Sequence, residues 1–262
     1  MNPFYELRAD DSITHLYRHE NFGFPSHFHT EIEITYCISG RQDIKIGNIC
    51  YSLSAGDAVV IFPNMIHEFI DSKNEIEPES ITLICSPDLI WQNMPKIKGM
   101  IPETPLIKSE NISSETAASF SKIINGHDNL FKLGHTYIIL SDLINSLNLR
   151  KINYQDDMNI AQKITEYITT HFSEPVTLEL LCKKLNVSAS YLSHVFSEQF
   201  KVPFRTYLGA VRAEHSASLI RTTDKNFTEI AYESGFESQR TFNRAFKSHF
   251  DMTPSEYKKN FK

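Results

Sequence analysis

The chain has 262 residues, a comfortable length for two domains, and its apolar fraction of 41% suits ordinary globular cores. No apolar run approaches the roughly 18 residues that indicate a transmembrane helix, which excludes a membrane-spanning protein. The net charge of −6 argues against nucleic-acid binding by the chain as a whole. However, residues 171–262 carry 13 Lys and Arg against 10 Asp and Glu, whereas residues 1–170 carry 13 against 22. This asymmetry is typical of a protein with one nucleic-acid-binding part.

The N-terminal residues and the cysteines predict a cytoplasmic protein. The first residues show neither the basic start nor the apolar stretch of a signal peptide. The four cysteines form no CxxC pair. We therefore expect reduced thiols that pack as small apolar side chains. They are Cys37, Cys50, Cys85 and Cys182.

Residues 13–85 are predicted to form β-strands. Short β-rich runs, such as 33–38, 43–46 and 58–62, alternate with turn signals such as Ser39-Gly40 and Gly47-Asn48. Even spacing of short strands predicts a barrel or a sandwich. Four prolines in residues 86–108 predict an irregular connection without long helices.

A histidine-rich motif lies inside the predicted strands. His27, His29 and Glu33 precede Gly40, and strand alternation places the three side chains on one face. His67 follows the next group of strands. The spacing HxHxxxE…G resembles the first motif of the cupin barrel, and the second cupin motif is only partial. This resemblance implies a cupin-like barrel over residues 1–110.

The motif leaves three interpretations open. Three histidines and a carboxylate would suit Zn, Fe or Mn, as in a metal-dependent cupin enzyme. We expect instead a pocket for a small-molecule effector, with no metal, no cofactor and no catalytic residue, because Glu33 would favour protonated imidazoles and metal requires neutral ones. The third interpretation is plain structural packing. The expected ligand-binding residues are His27, His29, Glu33, Tyr36 and His67.

The next segment, residues 111–150, changes to helical periodicity. Two helices are predicted, over about 113–126 and 128–149. Apolar residues of the second recur at steps of three and four and form a stripe, which predicts a homodimer through this helix. The stripe consists of Leu133, Tyr137, Leu140, Ile144 and Leu147. The polar residues 151–159 are predicted to be a linker.

Residues 160–262 contain a segment that nearly repeats after about 50 residues. Tyr191-Leu-Ser-His-Val-Phe196 matches Thr241-Phe-Asn-Arg-Ala-Phe246, and Asn186 matches Gly235. Each copy has a short helix, over 228–234 in the second copy, and a turn residue that tolerates positive φ. A second amphipathic helix follows, over 189–200 in the first copy and 238–250 in the second. This is the layout of a helix-turn-helix, whose second helix enters the major groove of DNA. A helix over 203–222, about 30 Å long, would set the two motifs about one DNA turn apart.

The second helix of each copy presents polar side chains opposite its apolar face. Such side chains pair with base edges or with phosphates, although a polar face can also be plain solvated surface. The predicted DNA-binding residues are Ser190, Tyr191, Ser193, His194, Gln239, Arg240, Asn243, Arg244 and Lys247.

Residues 176–257 resemble the AraC/XylS family of bacterial transcription regulators. The specific signature includes Thr228-Glu-Ile-Ala231, Gly235-Phe236, Phe246-Lys247 and Thr253-Pro254. Departures include His194 where the family often has Arg. The resemblance implies an α+β multidomain protein with a cupin-like sensing barrel and an all-α domain with two helix-turn-helix motifs. It also implies promoter double-stranded DNA, RNA polymerase and an effector such as a sugar as partners. A ligand-independent DNA-binding protein is a further alternative.

Overall fold

The computed structural model describes residues 3–6, 14–20, 23–71, 78–86, 88–125, 128–153 and 158–261. The described residues group into two compact units, one within 14–153 and the other formed by 158–261 together with 3–6. The break between them falls within the predicted linker, of which residues 154–157 lie outside the described part of the chain.

The short strand β1 (Phe4–Tyr5) belongs to the second unit, and this corrects the prediction that residues 1–110 form a single domain. Its Tyr5 ring is buried against Phe200 and Tyr207, with ring centroids 5.5 and 5.0 Å apart. This aromatic contact joins residues about 200 positions apart in sequence, so no local pattern predicts it.

The first unit is built mainly of antiparallel strands. They are β2 (Thr14–Glu20), β3 (Phe24–Phe28), β4 (Ile32–Ser39), β5 (Arg41–Ile46), β6 (Ile49–Ser54), β7 (Ala58–Ile61), β8 (His67–Ile70), β9 (Glu79–Cys85), β10 (Met100–Pro102), β11 (Leu106–Ile107) and β12 (Leu149–Lys151). One sheet contains the order β3-β8-β5-β6, and the other has the order β11-β7-β4-β9-β2. A core containing Ile44, Leu53, Ile61 and Phe69 draws on strands of both sheets.

Strand β4 is buried on both faces, which explains its nearly continuous apolar and β-branched sequence. Alternation places Glu33, Thr35 and Cys37 on one face and Ile32 and Ile34 on the other. The second face packs in the largest apolar core of the unit, which also includes side chains of two helices.

The helices of this unit are α1 (Asp88–Trp91), α2 (Ser114–Asn125) and α3 (Asn129–Asn145). Helix α3 ends four residues before the prediction of 128–149. The hydroxyl of Ser146, the residue after α3, donates to the carbonyl of Leu143, and residues 149–151 then pair as β12 with β10. The strand pairing with a distant segment overrides the helical periodicity that the sequence suggested.

The apolar stripe predicted on α3 is divided between two environments. Leu140 and Ile144 are buried in the core of their own protomer. Tyr137 is 38% exposed, and its exposed neighbours Leu130 and Phe131 were not in the predicted stripe. The prediction that Leu140 and Ile144 form a dimer interface is therefore wrong, because the sheet already covers that face of the helix.

The second unit is helical. Its helices are α4 (Ile160–His171), α5 (Leu178–Leu185), α6 (Ala189–Val195), α7 (Phe204–Thr222), α8 (Phe227–Glu233), α9 (Gln239–Phe250) and α10 (Pro254–Phe261). A π-helical turn over Phe196–Phe200 follows α6, where sequence periodicity predicted one continuous helix over 189–200. The long helix α7 has 19 residues and, at ~1.5 Å per residue, is about 28 Å long, close to the predicted connector.

Candidate nucleic-acid interface and histidine cluster

Helices α8 and α9 form the second helix-turn-helix motif. Asn226 caps α8 through a capping box with Glu229, and Ser238 caps α9 by accepting a hydrogen bond from the backbone N–H of Thr241 at 3.2 Å. Gly235 makes the turn between them with φ +81°. These local signals fix where each helix begins and ends, and the observed bounds differ from those predicted by one residue.

The outward face of α9 carries the predicted polar side chains. Phe242, Phe246 and Phe250 are buried and anchor the helix to the core of the unit. The opposite side of α9 is exposed and holds donors and acceptors suited to base edges and phosphates. Its exposed residues are Gln239, Arg240, Asn243, Arg244 and Lys247.

The first helix-turn-helix motif repeats this construction with α5 and α6. Asn186 adopts φ 53° at the turn, and Ser188 caps α6 by accepting from the backbone N–H of Tyr191 at 3.2 Å. Leu192 and Val195 are buried. The predicted residues Ser190, Tyr191, Ser193 and His194 are all exposed on the other side.

The loop after α4 holds the second motif in place. The Arg212 Nε donates to the carbonyl of Phe172 at 2.7 Å, and its guanidinium also donates to the carbonyl of Glu174 at 2.9 Å. Gly235 packs against the same backbone. Arg212 thus has a positioning role, since its guanidinium ties α7 to the loop after α4.

Four buried side chains of the first unit converge, and we call them the histidine cluster: His27, His29, Glu33 and His67. Each is 1–2% exposed, and one ligand atom from each lies within 4.8 Å of the others. His27 on β3 is the register partner of His67 on β8. Glu33 approaches from β4 in the other sheet.

The hydrogen bonds of the cluster orient each imidazole. Nδ1 of His27 lies 2.9 Å from the carbonyl of Pro25, and Nδ1 of His67 lies 2.9 Å from the carbonyl of Met65. Nε2 of His29 lies 3.1 Å from Glu33 Oε2, and its Nδ1 lies 3.3 Å from Glu31 Oε2. Nε2 of His67 is 3.7 Å from Glu33 Oε2.

Burial and neighbouring charges give the members of the histidine cluster different protonation states. Burial and the neighbouring His67 lower the pKa of His27 to about 3, so that ring is neutral. Burial opposes a charge on His29, but its contacts with Glu31 and Glu33 raise its pKa to about 9. Burial would raise the pKa of Glu33, yet the contacts with His29 and His67 hold it well below its usual range. The isolated cluster is thus an imidazolium–carboxylate pair beside a neutral imidazole.

Comparisons with known proteins find a family match in each of the two units. Residues 11–134 match the family described as the AraC-like ligand binding domain, and residues 181–260 match a helix-turn-helix domain. The chain belongs to the AraC/XylS family of transcription regulators. The family and the fold class predicted from the motifs are therefore confirmed.

The individual relatives cover this AraC/XylS chain unevenly. An uncharacterised HTH-type transcriptional regulator of Staphylococcus aureus is 30% identical over half of this chain, which spans only 18% of that relative. The regulator YijO of Escherichia coli K12 is 30% identical over 38% of this chain, which spans 35% of YijO. The structure of ToxT from Vibrio cholerae aligns with 95% of this chain and 98% of its own, at 20% identity and a TM-score of 0.43.

Two features of the site differ from or extend the predicted residue set. Tyr36 does not join the histidine cluster, because it lies on the other face of β4 and stacks on Phe120 of α2 with ring centroids 4.4 Å apart. Concave surfaces beside the two motifs include Lys183 of α5 and Ser255 in the first turn of α10. Pro254 was the sequence signal that could have placed Ser255 in the first turn of a helix, because proline is common at the first helical position. Among the described residues, every helix is too short or too polar to cross a bilayer.

Proposed function

We propose that this AraC/XylS family member is a sequence-specific transcription regulator that binds promoter double-stranded DNA and responds to a small molecule. The observation that carries the proposal is the pair of helix-turn-helix motifs, each with a capped second helix whose outward face is exposed and polar. A connector about 28 Å long suits two helices that enter successive major grooves on one face of the duplex. The protein would act in the cytoplasm, with RNA polymerase as a further partner.

The second motif should contribute more to affinity than the first. The outward face of α9 includes Arg240, Arg244 and Lys247, whereas that of α6 carries His194 and uncharged side chains. Arginine can bind guanine bidentately, and cations neutralise phosphates and release counterions. Binding should therefore weaken steeply with salt, and the second motif should supply most of that dependence.

Replacing Arg240 or Arg244 by alanine is expected to weaken DNA binding by roughly 1–3 kcal/mol while the melting temperature barely moves. The full chain is first used to select its site from random duplexes, and affinities are then measured by gel shift at several salt concentrations. A lost phosphate contact also lowers the salt slope by about one, which separates it from a base contact.

Arg150→Ala is the matched control, because Arg150 is exposed on β12 in the other unit. It should bind the selected duplex like the wild type. Failure of the wild type to enrich any sequence at low salt would contradict the proposed function itself. A large fall in the melting temperature of Arg240→Ala would assign that side chain a structural role instead.

The proposed regulator is a homodimer that forms through the exposed side of α3. Leu130 is 79% exposed and Phe131 is 42% exposed, and both lie in the same helix as Tyr137, which is 38% exposed. Leu130, Gly134 and Tyr137 follow helical steps of four and three, and a Cβ added at Gly134 would meet no atom within 4 Å. A helix face that is apolar but exposed to solvent is typical of a surface that pairs with another helix. A second copy of the chain offers the same face, so two copies can pair symmetrically.

Leu130→Glu combined with Tyr137→Glu is expected to give a folded monomer, because the two charges would repel across the interface without entering the core. Sedimentation velocity measures the mass, and far-ultraviolet circular dichroism checks the fold. Ile49→Glu, which also places a charge at an exposed apolar position, should stay dimeric. A wild type that sediments as a monomer would refute the dimer.

The ligand of the sensing domain is proposed to bind at the histidine cluster, the convergence of polar side chains buried between the two sheets. The family resemblance suggests a sugar as the effector. Binding there would favour one arrangement of the DNA-binding domains in the dimer by population shift.

A further inference from the structure

The repeat in the second unit extends past the two helix-turn-helix motifs into the helices that follow them. Tyr207 of α7 and Tyr257 of α10 are equivalent positions of the repeat, and both are fully buried. Tyr207 lies against Phe200 and Tyr257 against Phe250, with ring centroids 4.8 and 5.3 Å apart. The residue after each phenylalanine has a left-handed backbone, with φ 58° in the first copy and 55° in the second. The first turn of α7 is therefore the structural counterpart of the first turn of α10.

In the second copy, the first turn of α10 lines a concave surface together with the outward side of α9. The side chains that carry the argument are Arg244 and Lys247 of α9, Ser255 of α10 and the acid Asp251. Arginine, lysine and serine side chains are the groups that most often bind the phosphates of the DNA backbone. The concave surface therefore suits a phosphate of the duplex that α9 would read.

The first copy distributes its charge differently. The two cations of α9 correspond to His194 and Ser197, so neither position has the charge of an arginine or a lysine. Ser255 corresponds to Arg205, which is exposed in the first turn of α7. We infer that Arg205 binds a phosphate of the DNA backbone beside α6. The cation that the second motif has on its groove-facing helix is thus supplied in the first motif by the helix that follows.

The side chain of Arg205 is available for this contact. It is exposed, and no ion pair joins it to a residue in the described part of the chain. Arg212 of the same helix differs, because its guanidinium already donates to two backbone carbonyls. A guanidinium has five N–H donors in a planar fork that matches the oxygens of a phosphate. Arg205 therefore keeps the donors that a phosphate requires.

Arg205 also lies close to the first helix of the motif, α5. Hydrogen bonds from its own backbone and from Thr177, together with the charge of Arg205, lower the pKa of Glu179 in the first turn of α5. In a helix-turn-helix, the first helix crosses the DNA backbone while the second enters the groove. Arg205 is therefore near the part of the motif that meets the backbone. The same proximity suits a rival role, in which Arg205 only neutralises Glu179, and the test separates the two.

The inference rests on the proposed DNA binding, and it predicts how much of the salt dependence Arg205 supplies. Each neutralised phosphate contributes a salt slope of about −0.9, which amounts to roughly eightfold in affinity between about 1 M and about 0.1 M salt. Arg205→Ala in the full chain should therefore weaken binding about eightfold at about 0.1 M salt and lower the slope by about one. The loss should be similar on the selected duplex and on an unrelated one, because a phosphate carries no sequence information.

Neutral methylphosphonates locate the contact on the duplex. Each phosphate of the selected duplex is replaced in turn, and gel shifts compare binding by the wild type and by Arg205→Ala. One replacement should weaken the wild type and leave Arg205→Ala unchanged, because the variant has already lost the partner of that phosphate. It should lie in the other half of the site from the positions that Arg244→Ala affects.

Three further variants complete the test. Arg150→Ala removes the same charge from an exposed position in the other unit and should bind like the wild type. Arg205→Lys keeps a cation and should recover most of the affinity and the salt slope. Glu179→Gln removes the neighbouring acid, and Arg205→Ala should weaken binding to the same extent in that background. The melting temperature of each variant, measured on the same sample, should stay close to that of the wild type.

Several results would overturn the inference while the proposed regulator stands, since the wild type still binds its duplex in each of them. They are wild-type affinity and salt slope in Arg205→Ala, a loss confined to one sequence, a loss that vanishes with Glu179→Gln, a methylphosphonate series in which both proteins respond alike, and weaker binding explained by a lower melting temperature. A wild type that enriches no duplex at low salt would instead refute the proposed function, and the contact of Arg205 with it.

Discussion

Leu140→Asp is expected to unfold the first unit. Leu140 is buried between α3 and the sheet, together with Ile34, Leu83 and Phe120. Truncating a buried leucine costs about 2–5 kcal/mol, and a carboxylate in that place adds a penalty for burying a polar group. The sum is a large part of the free energy of unfolding of a typical native protein, which is about 5–15 kcal/mol. Thermal unfolding and the yield of soluble protein measure the effect.

Ser121→Asp is the matched control for this change. Ser121 is exposed on the neighbouring helix α2, so the same charge there should alter stability by at most about 0.5 kcal/mol. A Leu140→Asp protein that melts like the wild type and sediments as a monomer would restore the interface that the apolar stripe suggested from sequence.

Gly235→Ala is expected to destabilise the second unit by about 2–5 kcal/mol and to weaken DNA binding with it. Positive φ alone costs a residue with a Cβ about 1–2 kcal/mol, and φ at Gly235 is +81°. The added Cβ would also lie 2.6 Å from the carbonyl oxygen of Phe172 and 2.7 Å from the Cα of Ser173. Both are backbone atoms that cannot rotate away, so the turn between α8 and α9 must shift. Urea unfolding followed by circular dichroism, with gel shifts on the selected duplex, checks the result.

Gly209→Ala separates this effect from the general consequence of adding a methyl group. Gly209 lies inside α7 of the same unit, and its Cβ would meet the nearest side-chain carbon, that of Ala245, at 3.4 Å. Alanine there is expected to be neutral or to stabilise by up to about 1 kcal/mol. Equal stability of Gly235→Ala and Gly209→Ala would show that the turn does not need its positive φ.

The sequence by itself determined the features that depend on near neighbours. Ser188 and Ser238 cap the helices that follow them, and Asn186 and Gly235 make the turns, since each acts within a few residues of itself. The same locality explains why the polar faces of α6 and α9 were predicted. Strand alternation predicted that His27, His29 and Glu33 share one strand face, but His27 lies on β3 of one sheet and Glu33 on β4 of the other. The packing of the two sheets brings them together, and the pairing of β8 with β3 adds His67.

Only the tertiary structure decided which face of an element meets which partner. Periodicity showed that α3 has apolar positions, but only the sheet beneath it separates buried Leu140 from exposed Leu130. Tyr36 was predicted to bind ligand, but its ring stacks on Phe120 of a helix distant in sequence and lies outside the histidine cluster. Tyr5 belongs to the helical unit because it packs against Phe200 and Tyr207, about 200 residues later in the chain. In each case burial against residues far away in sequence outweighs the local pattern, because the free energy of apolar contact depends on the area covered and not on separation along the chain.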